Sequence, residues 1–217
     1  MILKIKNINE RIEIIPGNSY EITIENSKMF FKILNELKLM DEDEIVLFDN
    51  KILDSSKNIL VIYDLFSLDP NTKKVLSSNY KYVEKISNSS ELFNKLITIN
   101  SSIIELLNQV SLEFNNSITF NDQITLVDLL ETYDFKFNYD NNSFLETFIS
   151  YVKALMITFN YKVVITFNIQ DFINQDELEI IEKEFEYLNL TLINFNSNKS
   201  RLNFKKSLII DNDLCEF

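Results

Sequence analysis

The chain has a single glycine, Gly17, among its 217 residues. Its alternating strand and helix patterns otherwise indicate an α/β protein, a scaffold that commonly holds phosphate on a glycine-rich turn. Such a turn needs glycine because its backbone must approach the anion closely, often at a positive φ. One glycine cannot satisfy Gly-x-x-x-x-Gly-Lys-Ser/Thr, Gly-x-Gly-x-x-Gly or the Gly-x-Ser-x-Gly turn of α/β-hydrolases. The sequence therefore predicts the frame of a nucleotide enzyme without its phosphate turn.

Histidine, the commonest general base, is absent, and Cys215 is the only cysteine. A lone cysteine forms no intrachain disulfide, so we expect a reducing, cytoplasmic location. Without a histidine partner, Cys215 is not expected to act as a thiolate nucleophile. The first residues show no signal-peptide core, and no apolar run approaches the length of a membrane span, so no membrane partner is expected.

The formal net charge of −12 argues against a general attraction to nucleic acid, but local clusters of cations remain. One predicted helix has a four-residue spacing at positions 73, 77, 81 and 85, which puts these positions on one side. Its lysines are Lys73, Lys74, Lys81 and Lys85, so most of them project from that side. A second cluster comprises Lys199, Arg201, Lys205 and Lys206. With two arginines in the chain, any DNA contact would join lysine to phosphate rather than read guanine. On spacing alone, an ordinary solvated helix face is the better explanation for the first cluster.

Short apolar runs predict strands, and amphipathic stretches predict helices, in an alternating order. Strands are predicted at 2–6, 12–14, 20–24, 45–48, 59–63, 163–167 and 190–193, and helices at 27–39, 125–131 and 176–187. The runs at 45–48 and 59–63 are typical of strands buried on both faces of a parallel sheet. Asp69-Pro70 predicts a helix with proline at its first position.

Two long heptad-like seams interrupt the α/β pattern. The first comprises Leu92, Leu96, Ile99, Ile103, Leu106 and Val110, and the second comprises Leu145, Phe148, Val152, Leu155 and Phe159. Two packed helices of one helical subdomain explain these seams better than an intermolecular coiled coil. The sequence thus predicts an α/β head from residues 1–79 and 161–217, with an inserted α-helical leg at 80–160.

Acidic residues cluster around Asp122 and Asp128, with Glu113 and Glu131 nearby. Oxygen ligands suit calcium or magnesium rather than zinc, but the spacing matches no EF-hand loop. Taken alone, the two aspartates are better explained as a helix-capping residue and a helix-surface residue. No spacing among the 33 acidic residues singles out a catalytic carboxylate pair.

Four further segments stand out together by their order and spacing. They are Phe48-Asp49-Asn50-Lys51, Ile59–Thr72, Asn121–Leu130 and Leu188–Ile193. In order, spacing and total length they resemble the short form of the ring-forming spacer-acquisition protein of type II-A CRISPR systems. The resemblance implies an α/β head with a parallel-rich sheet, related to the P-loop NTPases but without the P-loop, and a helical leg. It therefore agrees with the architecture predicted above.

The same resemblance implies a function. It implies a homotetrameric ring whose central hole, lined by lysines, threads onto the ends of linear double-stranded DNA. The family is not known for an enzymatic activity, and it assists the capture of new spacers in antiviral defence alongside the CRISPR integrase complex and the effector nuclease. Four copies of a few lysines around one polyanion would let an acidic chain hold DNA.

Site residues follow from the resemblance position by position. Lys51 stands where the family has a lysine after its Phe-Asp pair. The DNA-contact candidates are Lys51, Lys57, Lys73, Lys74, Lys81 and Lys85. The implied calcium ligands, which would brace the leg, are Asp122, Asp128 and the carbonyl of Thr119. Ile118 and Phe120 replace acids that relatives place here, which points to fewer calcium sites or to carbonyl ligands.

Two other functions stay open from the residues alone. A divergent nucleotidase or nuclease would use Asp64, Asp69 and Asp122 with a divalent ion. A protein-interaction scaffold without DNA binding would instead dock a partner helix on the apolar leg.

Overall fold

The computed structural model of the protein describes residues 1–6, 8–39, 45–49, 51–87, 91–115, 117–140 and 142–217. These residues form two compact units. The first unit combines Met1–Asp69 with Tyr139–Phe217, and the second unit spans Pro70–Asn138.

All the strands lie in the first unit, and the helices are divided between the two. The strands are β1 (Ile2–Ile5), β2 (Ile12–Glu13), β3 (Ser19–Ile24), β4 (Ile45–Asp49), β5 (Lys51–Leu53), β6 (Ile59–Val61), β7 (Val163–Phe167), β8 (Thr191–Asn196) and β9 (Lys206–Ile210). The helices are α1 (Ser27–Leu39), α2 (Ser55–Asn58), α3 (Lys73–Ser87), α4 (Glu91–Glu113), α5 (Leu126–Thr132), α6 (Phe144–Thr158) and α7 (Gln175–Tyr187). The second unit contains α3, α4 and α5.

Five strands form a parallel sheet in the order β6-β7-β8-β3-β9, which confirms the predicted α/β class. A second, antiparallel sheet has the order β2-β1-β4-β5. The prediction that residues 45–48 form a parallel strand is wrong, because β4 pairs antiparallel with β1 and β5. Leu47 is buried while Phe48 is 46% exposed, so β4 has one core face and one solvent face, as antiparallel sheets allow.

Apolar side chains cover both faces of the parallel sheet. One core cluster joins Ile22 and Phe195 of the sheet to Leu37 of α1. The other joins the sheet to Phe148 of α6 and Phe185 of α7, whose rings stack with centroids 6.0 Å apart. One face of the parallel sheet is therefore covered by α1 together with the antiparallel sheet, and the other face by α6 and α7.

The second unit, Pro70–Asn138, differs from the predicted leg at 80–160 because α6 falls in the first unit. The sequence predicts that α6 packs on α4, but Phe148 and Val152 of α6 belong to the core cluster that includes Leu178 of α7. Helical periodicity identifies an apolar face without identifying the partner that covers it.

Within the second unit, α3 packs against α4 and α5. Asn71 holds the chain just ahead of α3, because its Nδ2 donates to the Phe137 carbonyl at 3.0 Å and its Oδ1 accepts from the Phe137 N–H at 2.8 Å. The helix predicted to start at Pro70 therefore begins later, at Lys73.

Candidate nucleic-acid interface

One side of α3 carries four lysines. They are all exposed, and we call them the α3 lysine row: Lys73, Lys74, Lys81 and Lys85. On the opposite side Val75 and Asn79 are buried, which confirms that the lysines share a solvent face. Among the described residues no carboxylate forms an ion pair with this row. Its positive charge is therefore available to an anionic partner.

Lys73 has a more acidic environment than the rest of the row. It lines a recess of about 310 Å³ together with Glu131 and Asp134. Asp134 is itself bonded to the Lys136 ammonium group. Glu131 is therefore the acid of this recess that is left to offset the charge at Lys73.

The two remaining lysine candidates lie in the first unit. Lys51 is exposed in β5, and it forms no ion pair with the described residues. Lys57 is exposed on α2, but its Nζ lies 2.7 Å from Oδ2 of Asp54. Hydrogen bonds from Lys57 and Ser56 lower the pKa of Asp54 to about 2, so this carboxylate stays charged at neutral pH. Asp54 therefore offsets much of the charge that Lys57 could offer to DNA.

Asp54→Asn is expected to raise the affinity for linear duplex about two- to fivefold at low salt, because it releases Lys57 to contact phosphate. Asparagine caps a helix as well as aspartate does, so α2 should be unaffected. Fluorescence anisotropy with a labelled duplex measures the change. Lys57→Ala should then cost more affinity in the Asp54→Asn background than in the wild-type chain. An equal loss in both backgrounds would mean that Asp54 does not restrain Lys57, and no loss in either would remove Lys57 from the interface.

Asp128 caps α5. Its backbone N–H donates to Thr125 Oγ1 at 3.1 Å, and the Thr125 N–H donates back to Asp128 Oδ2 at 2.8 Å. The Thr125 hydroxyl donates to the same carboxylate oxygen at 2.7 Å. The hydroxyl bond, and then the backbone bond, lower the pKa of Asp128. Asp128 is thus a helix-surface residue, as predicted, that also completes a capping box with Thr125.

The predicted calcium ligands do not assemble a site in the described part of the chain. Asp122 and Thr119 are exposed, and one oxygen of Asp128 is already engaged by Thr125. Across the described ranges, no three acidic, histidine or cysteine side chains are grouped so that they could hold a metal ion. Calcium takes about six to eight oxygen ligands, so this donor set does not fit it and calcium binding stays a prediction.

The acids considered for a hydrolytic site have structural partners. Asp64 accepts hydrogen bonds from the Phe66 N–H at 2.8 Å and from the Ser67 hydroxyl. Asp69 accepts from the Tyr139 hydroxyl at 3.2 Å. The described residues therefore give the nucleotidase or nuclease alternative no assembled metal centre.

A helix cap occupies the turn between β3 and α1, where a phosphate loop would lie in a nucleotide-binding protein. Only Glu25 and Asn26 separate the two elements. Asn26 Oδ1 accepts from the Met29 N–H at 3.0 Å, and Asn26 Nδ2 donates to the Asn212 carbonyl at 3.2 Å. The predicted lack of a phosphate turn is confirmed at this position.

α4 exposes large apolar side chains along its predicted seam. Leu92 is 53% exposed and Leu106 is 59% exposed. The exposed residues of this seam, which we call the α4 apolar stripe, are Leu92, Ile99, Leu106 and Val110. A contiguous apolar face of this kind marks an association surface. Sequence periodicity located the face, but its exposure could be seen only in the structure.

These features define a class of protein: an α/β protein that lacks the phosphate turn and carries a helical unit with charged and apolar faces. Residues 35–214 match the family described as CRISPR-associated protein (Cas_Csn2), and the chain belongs to this family.

Solved structures share the fold. The crystal structure of Stu0660 of Streptococcus thermophilus is similar over 97% of this chain and 74% of that chain, with a TM-score of 0.58 and 19% identity. A putative ABC transporter ATP-binding protein from Pyrococcus furiosus is similar over 96% of this chain and 97% of that chain, but its TM-score of 0.41 and 9% identity are too low to support an argument. No curated protein matches the chain in sequence. No helix in the described ranges is long and apolar enough to cross a bilayer.

Proposed function

We propose that the chain forms a non-catalytic homotetrameric ring that binds the ends of linear double-stranded DNA and threads onto them during CRISPR spacer acquisition. The CRISPR-associated role follows from the family. DNA binding is supported best by the α3 lysine row, which forms no ion pair with the described acids. The integrase complex and the effector nuclease are the proposed protein partners.

Lysine contacts to phosphate account for binding that ignores base sequence. Each neutralised phosphate releases condensed counterions, so affinity falls steeply as salt rises. One copy of a chain with net charge −12 would hold a duplex weakly. Four copies around one duplex repeat the lysine row on every side, and the high effective concentration makes weak contacts act together. Topological enclosure removes the need for a large basic face.

The α4 apolar stripe supports self-association. Burying apolar surface contributes roughly 25 cal/mol per Å², and a stripe present on every copy can be covered by equivalent surfaces in a closed assembly. We therefore propose that copies of the chain cover the stripe in the tetramer. Calcium bracing through Asp122, Asp128 and Thr119 stays a prediction from the resemblance, and nothing in this proposal depends on it.

Leu92→Glu combined with Leu106→Glu is expected to prevent tetramer formation. Both side chains are exposed in the single chain, so folding should be retained, whereas glutamates buried at an interface are costly. Native mass spectrometry should show four times the 25.6 kDa chain mass for the wild type and the single mass for the variant.

The matched control, Leu39→Glu with Ile180→Glu, changes exposed apolar residues outside the stripe and should remain tetrameric. A double variant of Leu92 and Leu106 that still forms tetramers would contradict the role of the stripe. A wild-type monomer without DNA affinity would contradict the ring itself and favour the protein-interaction scaffold.

A further inference from the structure

A recess of about 510 Å³ lies at the carboxyl ends of β7 and β8 in the first unit. Residues 168–173 after β7 and residues 197–202 after β8 supply its lining. In open α/β sheets, ligands bind beyond the carboxyl ends of the strands. The volume is also in the range of small-molecule sites.

The first lining segment is fixed by a buried asparagine beneath it. Asn194 is fully buried, and its Oδ1 accepts from the Thr166 hydroxyl at 3.2 Å and the Ile169 N–H at 3.1 Å. Its Nδ2 donates to Gln170 Oε1 at 2.8 Å. Because Gln170 lines the recess with its oxygen engaged, its amide nitrogen is the group left to donate to a ligand.

The second lining segment is held by a buried carboxylate on β3, the strand next to β8. Glu21 of β3 is 1% exposed, and its Oε1 accepts from the Ser200 N–H at 2.9 Å and from Asn196 Nδ2 at 2.8 Å. The Ser200 hydroxyl in turn accepts from the Leu202 N–H at 3.1 Å. The segment that carries Lys199 and Arg201 is thus ordered before any ligand arrives, which lowers the entropic cost of binding.

The charged groups of the lining are two cations and one acid. Lys199 and Arg201 form no ion pair with the described residues, and Asp171 is the only acid that lines the recess. A phosphate monoester carries nearly two negative charges at neutral pH and three acceptor oxygens. We propose that the recess binds a nucleoside monophosphate, with Lys199 and Arg201 on the phosphate and Asp171 accepting from a sugar hydroxyl.

A free mononucleotide fits this lining better than the phosphorylated 5′ end of a DNA strand. The terminal deoxyribose of such a strand has its 3′ oxygen in a phosphodiester, so it offers Asp171 no hydroxyl donor. Inorganic phosphate lacks the sugar and would leave most of the recess unfilled. Binding of a DNA end in the recess would rest on the proposed function, whereas binding of a mononucleotide does not.

Isothermal titration calorimetry of the full chain with AMP, adenosine and inorganic phosphate tests the site. We expect saturable binding of AMP and none of adenosine. Lys199→Ala with Arg201→Ala should weaken AMP binding about tenfold to a hundredfold, because the charge-assisted hydrogen bonds to the phosphate are removed. Lys28→Ala with Lys183→Ala removes two exposed cations that do not line the recess, and it should change the affinity less than about twofold.

Asp171→Asn tests the proposed contact to the sugar hydroxyl separately from the contacts to the phosphate. It should strengthen binding of inorganic phosphate, because the lining loses its only negative charge, and it should reduce the preference for AMP over phosphate. Failure of the wild-type chain to bind AMP, equal binding of AMP and adenosine, or equal reductions of affinity in the two double variants would overturn the inference.

Titration with a duplex that carries 5′ phosphates, and with the same duplex lacking them, tests whether the phosphate bound by the recess comes from a DNA end. If only the phosphorylated duplex depends on Lys199 and Arg201 while AMP does not bind, the mononucleotide is overturned and the phosphate comes from DNA ends. If neither duplex binds at all, the proposed function fails, but the AMP titration still decides the recess.

Discussion

Replacing the whole α3 lysine row with alanine is expected to lower the affinity for linear duplex DNA at least about a hundredfold at low salt. The variant carries Lys73→Ala, Lys74→Ala, Lys81→Ala and Lys85→Ala. In a tetramer the change is repeated in every copy, so several lysine–phosphate interactions are removed together. A plot of log affinity against log salt should also become shallower by about 0.9 for each phosphate that is no longer neutralised. Fluorescence anisotropy of a labelled linear duplex over a salt series measures both quantities.

A second quadruple variant controls for net charge. It replaces the exposed residues Lys4, Lys28, Lys38 and Lys183 with alanine and removes the same number of positive charges from each chain. Long-range repulsion should lower its affinity only severalfold, with the salt slope nearly unchanged. Equal decreases of affinity and slope in the two variants would mean that DNA responds to total charge and not to the α3 lysine row.

Gly17→Ala is expected to lower the free energy of unfolding by about 2–4 kcal/mol. Gly17 has a φ of +72°, which disfavours any L side chain, and a Cβ placed there would lie 2.6 Å from Cβ of Glu186. The turn cannot easily move away, because the Gly17 N–H donates to the Leu190 carbonyl at 2.9 Å and Lys205 Nζ donates to the Gly17 carbonyl. Urea denaturation followed by circular dichroism measures the destabilisation.

Asn18→Ala is the control for this turn. Asn18 contributes its backbone carbonyl to the Leu192 N–H at 3.1 Å, and alanine keeps that bond. We expect a change within about 0.5 kcal/mol. If Gly17→Ala were as mild as Asn18→Ala, the only glycine of the chain would not be required by the turn.

Local signals in the sequence predicted the parallel sheet well. The apolar run at 163–167 forms β7 over the same residues, and the run at 190–193 lies within or next to β8, Thr191–Asn196. Runs of β-branched residues between turns are short-range features, so one sequence suffices to find them. The missing phosphate turn was equally readable, because it follows from the lack of glycine.

Pairing partners were harder to predict because they depend on residues distant in sequence. β4 has the apolar run of a parallel strand but pairs antiparallel with β1 and β5. β9, Lys206–Ile210, was not predicted, since its start overlaps a cluster of lysines. α6 packs against α7 although its seam matched that of α4 equally well. For β4 and α6 the sequence revealed the segment but not the segment that packs against it, and for β9 it revealed neither.

In the candidate site, too, features that are local in the sequence could be predicted and those that depend on distant residues could not. Four-residue spacing placed the α3 lysines on one face, and the spacing Thr125-x-x-Asp128 is a readable capping signature. The Asp54–Lys57 pair, three residues apart, is also readable in the sequence, although none of the predictions used it. For the recess beyond β7 and β8, the sequence showed only the basic cluster that contains Lys199 and Arg201. The recess itself could not be predicted, because Gln170 and Arg201 come together only when the sheet forms.

Threading onto DNA ends is the central claim, and one binding measurement tests it most directly. The full chain is titrated at fixed salt against one plasmid in three forms: closed circular, linear, and linear with both ends blocked by bulky protein caps. A ring that threads predicts tight binding to the open linear form and little to the closed circle or the blocked form. Equal affinity for all three would contradict the claim, because contacts to the sides of the duplex would then be sufficient.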